Sequence, residues 1–147
     1  MADRWLQLGD RLILDGADHS VVEVVIGRTD RINVQVVRAV PDLGGEARWL
    51  LQIEDEAVRQ AEEVAAEVLN GPEVVVGEER FRRQWRSEAR TERAAVGERV
   101  HFGRGECELY RAESGAAAVR LSDQRGVSAF AGRPPDPAQI DLRFTGS

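Results

Sequence analysis

The sequence predicts a mainly β fold, a small antiparallel barrel or sandwich with one α-helix. Three observations favour this class. Apolar and polar residues alternate in many short runs, valine is frequent in those runs, and Gly-containing turns separate them. A chain of 147 residues is also long enough to bury a core without a disulfide or a metal. We count about nine or ten predicted strands by these signals.

The first 53 residues predict four or five antiparallel strands. Leu12 and Leu14 alternate with polar neighbours, and Asp15-Gly16 supplies the turn that follows. The run from Ser20 to Ile26 is largely apolar on both faces, which is typical of a strand covered on both sides. The remaining signals in this part are a turn at Gly27 to Asp30, a strand around Ile32 to Val36, a turn at Leu43 to Gly45 and a strand at Trp49 to Ile53.

The next stretch, EDEAVRQAEEVAAEVLNGP, predicts the single helix near residues 55–69. It is rich in Glu and Ala, and its apolar residues lie near helical spacing. Glu54, Asp55 and Glu56 are placed to favour a helix start, where the helix dipole is positive. Asn70-Gly71-Pro72 is a plausible stop.

Residues 78–96 are ambiguous between strand and helix. Phe81, Trp85 and Ala89 recur every four residues, which places them on one stripe of a helix. Four is also an even number, so the same residues share one face of a regular strand. Periodicity alone therefore leaves both structures open.

Strand signals surround this segment and continue to the end of the chain. They are Glu73 to Val76, Val100 with Phe102, Cys107 with Leu109, Ala117 to Leu121 and, after a proline-rich connection at residues 133–137, Ile140 with Leu142 and Phe144. The chain is therefore predicted to be a single β-rich domain over residues 1–147, or two lobes, 1–53 and 73–147, joined by the helical stretch.

Composition and motifs argue against an enzyme. All 20 basic residues are arginine, which excludes a phosphate-loop lysine and lysine Schiff-base chemistry. The stretch Gly103 to Glu108 lacks the third glycine and the context of a dinucleotide loop, and Gly126 to Phe130 lacks the closing glycine of a nucleophile elbow. One cysteine and two histidines have no metal-ligand spacing. We expect no catalytic residues, no metal and no cofactor, and Cys107 to be a core residue.

The sequence also predicts a cytoplasmic protein. No run approaches the about 18 apolar residues of a membrane span. The first ten residues carry charges at Asp3 and Arg4 and no apolar stretch of signal-peptide length.

One segment concentrates positive charge in an acidic chain. Residues 80–99 hold seven arginines and three glutamates, a local charge of +4 in a chain of net charge −6. Arg82, Arg83, Trp85 and Arg86 are the candidate binding residues in it, because arginine and an aromatic ring together can grip phosphates and stack on bases. The alternatives are docking of an acidic protein, including a second copy of this chain, and ion pairing with the chain's own acids while Phe81 and Trp85 face the core.

Six short motifs follow one another over nearly the whole chain. They are Leu6-Gln7-Leu8-Gly9-Asp10, Trp49-Leu50-Leu51, Gly77 to Phe81, Glu108-Leu109-Tyr110, Val119-Arg120-Leu121-Ser122 and Phe130-Ala131-Gly132-Arg133-Pro134. Their order resembles that of a bacterial family of uncharacterised proteins, domain-of-unknown-function family 4178. The resemblance implies a mainly β fold, with residues 80–93 in a strand or hairpin. It also implies an accessory role in a membrane-associated envelope-stress system, and it transfers no catalytic residue.

These observations together predict a non-enzymatic interaction or accessory module of a bacterial, cytoplasmic stress system with a protein partner. The first alternative is a small β-domain that binds single-stranded nucleic acid through the four candidate residues. The second is a barrel that binds a small apolar ligand in its interior, because the sequence does not distinguish a filled barrel from a hollow one.

Overall fold

The computed structural model describes residues 4–136 and 140–143, which form eleven strands and one short 3-10 turn. The strands are β1 (Arg11–Leu14), β2 (Ala17–Arg28), β3 (Val34–Pro41), β4 (Arg48–Ile53), β5 (Arg59–Val64), β6 (Glu73–Val76), β7 (Glu79–Ala95), β8 (His101–Ala112), β9 (Ala117–Asp123), β10 (Gly126–Gly132) and β11 (Ile140–Arg143). The mainly β class is confirmed.

Eight of the strands close into an antiparallel barrel, so of the two predicted architectures the barrel is the one observed. The order around it is β2-β3-β4-β5-β10-β9-β8-β7, and β7 closes the ring by pairing with β2 from Arg90 to Ala95. β1 and β11 extend the sheet beyond β2, and β6 extends it beyond β7. The β2–β7 and β5–β10 pairings join the first 53 residues and residues 73–132 in one sheet.

The barrel interior is filled by its own side chains. A barrel of eight strands is about wide enough for side chains to fill, and here Trp49 packs on Phe130 with ring centroids 4.8 Å apart. The buried residues of this barrel core are Val25, Val34, Val36, Leu51, Ile53, Ala89, Cys107, Leu109, Ala117, Val119, Leu121 and Phe130.

Two further apolar clusters lie on the outer face of the barrel wall. One holds residues of β1 to β4 together with Leu6 and Val58. The other holds Phe81 and Tyr110, with Val74 of β6 and Leu69 packed over them. The strands beneath these clusters are covered on both sides, as predicted for Ser20 to Ile26.

The predicted helix near residues 55–69 is wrong. Residues 59–64 form β5, which pairs with β4 on one side and β10 on the other, and only Ala66–Val68 form a 3-10 turn. The helix propensity of Glu and Ala is a weak preference, and here the two strand ladders of β5 override it. The described residues contain no helix long and apolar enough to cross a membrane.

The acidic residues expected at the helix start have other roles. Glu54 accepts a hydrogen bond from the Asn33 backbone N–H at 2.8 Å, and Asp55 occupies a turn with φ of 68°. Glu56 bridges Arg111 and the buried Arg59. Hydrogen bonding to Arg111 lowers the pKa of Glu56.

Residues 79–95 form one long strand, β7, which resolves the ambiguity over residues 78–96. Its register with β8 shifts between Arg83 and Trp85, so Gln84 is a bulge residue. A bulge reverses the alternation of side chains along a strand. As a result Phe81 packs in the outer cluster while Trp85 packs against the barrel core, although their spacing predicts a shared face.

One smaller expectation is corrected, and another is confirmed. Gly27, predicted to begin a turn, lies within β2 and faces the interior, where a Cβ would come within 2.6 Å of the Leu121 side chain. The final strand is present as β11, paired with β1. Its predicted last residue, Phe144, and Pro137 of the proline-rich connection lie outside the described residues.

Candidate interaction site

The structure pairs each of the three predicted binding arginines with an acid of the same chain. Arg82 contacts Glu73 at 3.2 Å on the exposed end of β7. Arg83 donates to Glu108 at 2.8 Å. Arg86 holds Glu106 with two donors, Nε and Nη2, and this hydrogen bonding raises the pKa of Arg86 and lowers that of Glu106.

Trp85, the fourth candidate, is half-buried. Its partner across the ladder is Leu109, and it packs against the barrel core. The indole therefore has a packing role, which leaves only part of the ring accessible. A ligand that used these four residues would have to compete with three ion pairs that are already formed.

Five residues beyond Trp85, three arginines lie side by side on neighbouring strands. Arg28 of β2 is directly opposite Arg90 of β7, and Arg90 is directly opposite Arg104 of β8. Directly opposed residues share a face of the sheet, with Cβ atoms about 5 Å apart. All three side chains are exposed on the outside of the barrel. We call them the arginine row.

The arginine row is poorly neutralised by its neighbours. Arg28 has a loose contact with Glu92, at 3.6 Å between Nε and Oε1. Among the described residues, Arg90 and Arg104 form no ion pair at all. Like charges directly opposite each other destabilise a sheet, so the row is a feature that the fold alone does not explain.

An open groove of about 650 Å³ lies over the arginine row. Besides the row, its lining consists of Thr91, Glu92, Phe102, Gly103 and Gln124. Three arginines against one carboxylate give this lining a formal charge of +2. We call it the arginine groove.

Phe102 gives the arginine groove an apolar wall. It is directly opposite Glu92 in the ladder and 76% exposed, which is unusual for a phenylalanine. Val96 and Val100, in the turn between β7 and β8, are also exposed. Of these three, Phe102 lines the groove, and an exposed aromatic side chain beside charged groups is typical of an interaction surface.

A second groove of about 840 Å³ adjoins the first and shares the arginine row. Its lining adds the acids Asp30, Glu88 and Glu106, so its formal charge is balanced. Glu88 lies directly opposite Glu106. The same three arginines line both grooves, so the formal charge of +2 describes the lining of the arginine groove alone and is offset on the side of Asp30, Glu88 and Glu106.

Gly105 and the anchored carboxylate of Asp123 lie next to residues that line the arginine groove. A Cβ on Gly105 would lie 1.7 Å from the carbonyl oxygen of Ser122, so only glycine permits this close approach of β8 and β9. Asp123 accepts from Thr91 Oγ1 at 2.7 Å, from Arg93 Nε at 3.0 Å and from the Arg125 N–H at 2.8 Å. Burial opposes its ionisation, but these bonds outweigh burial and lower the pKa of Asp123 to about 2.

The residues with nucleophilic or metal-binding chemistry are dispersed. Cys107 is fully buried in the barrel core, as predicted, and burial, with a smaller contribution from Glu108, raises its pKa to about 12. His101 lies six residues along β8, about 20 Å away in an extended strand, and contacts Arg125. His19 is buried in β2, with Nδ1 2.8 Å from the Ala17 carbonyl oxygen. Within residues 4–136 and 140–143, no group of three His, Cys, Asp or Glu side chains could hold a metal ion.

The sequence indicated the basic segment, and its candidate arginines Arg82, Arg83 and Arg86 are ion-paired in the structure, whereas the arginine row was not predicted. Arg90 lies in the basic segment, whereas Arg28 comes from β2, far from it in the sequence, and Arg104 from β8, the strand that follows it. Their proximity depends on the strand register, which a single sequence does not provide. The one available signal was Gly103-Arg104-Gly105, an arginine between two glycines in a strand, where glycine indicates a close backbone approach.

Comparisons with protein-family models, with curated proteins and with solved structures found no match to this chain.

Proposed function

We propose that this protein is a non-enzymatic interaction module that binds an acidic partner protein at the arginine groove. The observation that carries the proposal is the arginine row, in which two of three directly opposed guanidiniums have no acidic contact among the described residues. An acidic side chain of a partner would neutralise them, and arginine recognises carboxylates with bidentate geometry.

Phe102 supports a protein partner. Interfaces combine a buried aromatic or arginine anchor with a polar rim, and Phe102 lies within the lining that also holds Arg90 and Arg104. Burial of an exposed phenylalanine on binding contributes about 1.5–3 kcal/mol. A second copy of this chain is one candidate partner, because the net charge of −6 gives each copy an acidic surface to offer.

The cellular setting rests on the family resemblance alone. The resemblance to domain-of-unknown-function family 4178 extends the proposal to a bacterial, cytoplasmic protein that serves a membrane-associated stress system. The four candidate residues of the basic segment stay predicted contacts, but we rank them below the arginine groove. Their three arginines are already ion-paired within the chain. The four residues are Arg82, Arg83, Trp85 and Arg86.

The second candidate function is binding of single-stranded nucleic acid. The observation that favours it is the same exposed Phe102, now as a stacking platform beside Arg90 and Arg104, a combination common in single-strand binding grooves. The overall charge of −6 disfavours it, since nucleic-acid-binding domains are usually basic. Binding of an apolar ligand inside the barrel is supported least, because side chains occupy the interior.

Affinity capture from the native host after mild cross-linking tests the proposal. Three baits are compared, with and without nuclease: wild type, Arg90→Gln/Arg104→Gln and the matched control Arg80→Gln. Arg80 is also an exposed arginine of β7 without an ion pair among the described residues, ten positions from Arg90. We expect a nuclease-resistant protein that is lost only with the double variant. If the double variant captures the same protein as wild type, the proposal is contradicted. If nuclease treatment abolishes capture, the nucleic-acid function is favoured instead.

A further inference from the structure

We infer that the arginine groove is a binding site for one phosphate monoester, held between the guanidiniums of Arg90 and Arg104. This inference deepens the proposed function, because it specifies the group on the partner that the groove recognises. It rests on the proposed function only in its location, since a phosphate site can be measured without any partner.

The charge of the groove matches that group better than it matches a single carboxylate. The lining carries a formal charge of +2. A phosphate monoester carries about −1.5 to −2 at neutral pH and has three acceptor oxygens. A carboxylate carries −1 and has two oxygens, so it would leave one arginine of the groove without a counter-charge.

The available donors also suit a tetrahedral anion. Arg90 and Arg104 approach the groove from adjacent strands, and each planar fork can donate two parallel hydrogen bonds. Gln124 completes one wall. Its Oε1 accepts the Arg104 backbone N–H at 3.2 Å, which leaves the amide NH₂ of Gln124 to donate.

Arg28 is placed to join the site when the anion is present. Its contact with Glu92 is long, at 3.6 Å, and both side chains are partly exposed. A contact of this kind is worth little in water. The anion can therefore draw the Arg28 guanidinium away from Glu92 at small cost.

The acids that border the groove leave the site available. Glu106 is held by two donors of Arg86 on the side away from the arginine row. Glu88 lies opposite Glu106, two positions along the ladder from the pair of Arg90 and Arg104, and forms no ion pair with either arginine. Asp123 is occupied by Thr91, Arg93 and the Arg125 N–H.

Isothermal titration calorimetry and thermal unfolding of the full chain test whether this site binds phosphate. The probes are inorganic phosphate and a short phosphoserine peptide, compared with sodium chloride at equal ionic strength. We expect saturable binding of both phosphates and a rise in Tm that chloride does not reproduce. A Tm that responds equally to phosphate and chloride, with no saturable heat, overturns the inference and identifies general screening as the cause.

Matched variants locate the site. Arg104→Gln should weaken the phosphoserine peptide by about tenfold or more, since a hydrogen bond to a charged group contributes about 1.5–3 kcal/mol. Arg80→Gln should leave the affinity within about twofold of wild type, because an exposed charge several Debye lengths away is screened. An equal loss of affinity in Arg104→Gln and Arg80→Gln would show that the phosphate binds outside the arginine groove.

The pH dependence and a phosphodiester separate the remaining alternatives. Affinity for the phosphoserine peptide should rise between pH 5 and pH 7.5, because the monoester becomes a dianion with a pKa of about 6. Unchanged affinity over that range contradicts recognition of the dianion. If a six-nucleotide oligothymidylate binds more tightly than the peptide, the ligand of the groove is nucleic acid and not a phosphate monoester. If phosphate fails but partner capture still depends on Arg90 and Arg104, only this inference fails and the proposed function stands.

Discussion

Arg90 of β7 lies directly opposite Arg104 of β8, and neither forms an ion pair with any residue that the structure describes. Farther along the same two strands, Arg86 is neutralised by Glu106 of the opposite strand. Two uncompensated arginines in direct opposition cost stability in the free protein. Binding sites often retain such unfavourable pairs at a cost in stability, and this pair lies in the lining of the arginine groove.

Removal of one of these arginines should therefore stabilise the free protein. We expect Arg90→Gln to raise the free energy of unfolding by about 0.2–1 kcal/mol, the range for like charges opposed across strands. Urea unfolding at low salt measures the change, and added salt should reduce it.

The control for that variant is Arg82→Gln. Arg82 is also exposed on β7 but contacts Glu73 at 3.2 Å, so its removal should leave stability unchanged or slightly lower. If Arg90→Gln destabilises the protein more than Arg82→Gln does, the arginine row is not under electrostatic strain and this interpretation is wrong.

Substitution of Gly105 should disrupt the contact of β8 with β9. The Cβ of Gly105→Ala would lie 1.7 Å from the backbone oxygen of Ser122, which no side-chain rotation relieves. We expect a loss of at least about 2 kcal/mol in the free energy of unfolding.

Gly77→Ala is the comparison, because its Cβ meets no atom within 4 Å and only its φ of 62° is unfavourable. Its cost should be nearer 1 kcal/mol, and equal costs would argue against the close approach at Gly105.

Stability should depend on the ionisation of Asp123 at acid pH. Its pKa of about 2 in the folded protein lies below the value of about 3.9 expected in the unfolded chain. Ionised Asp123 therefore stabilises the fold above about pH 4, by about 2 kcal/mol, and this contribution is lost as the pH falls from 4 to 2. The urea midpoints of unfolding of the wild type and of Asp123→Asn should therefore approach each other as the pH falls from 4 to 2. A constant difference between pH 6 and pH 2 would show that the pKa is not depressed.

Cys107 should be unreactive in the folded protein. The thiol is fully buried and its pKa is raised to about 12, so almost no thiolate forms at pH 8. We expect a disulfide-exchange reagent to modify Cys107 only after denaturation. Stoichiometric modification within minutes under native conditions would mean that the barrel core opens readily.

Much of the fold was predictable because period-two alternation directly reports a half-buried strand. The runs at Trp49 to Ile53 and Ala117 to Leu121 are both strands of the barrel. The helix prediction for residues 55–69 was wrong because the composition favours a helix, whereas pairing with β4 and β10 stabilises residues 59–64 as a strand. Sequence periodicity contains no information about those neighbours.

The candidate site was harder to predict than the fold. The bulge at Gln84 moved Phe81 and Trp85 to different faces, and no residue type marks a bulge of this kind in a single sequence. The partners of the arginines are set by strand register across β2, β7 and β8. The mixture of arginine and aromatic residues therefore favoured Arg82, Arg83, Trp85 and Arg86. It could not show that these arginines have acids opposite or diagonal to them, or that Arg90 is opposite Arg104.

The most direct test of the arginine groove as the interaction surface is an NMR titration of labelled protein with a hexaglutamate peptide that contains one phosphoserine. Saturable shifts should be confined to the arginine groove, at Arg28, Arg90, Phe102, Arg104 and Gln124, and should vanish in Arg90→Gln/Arg104→Gln. Shifts centred on Arg82 and Arg86, or shifts that persist in the double variant, would contradict the assignment of the interaction to this groove.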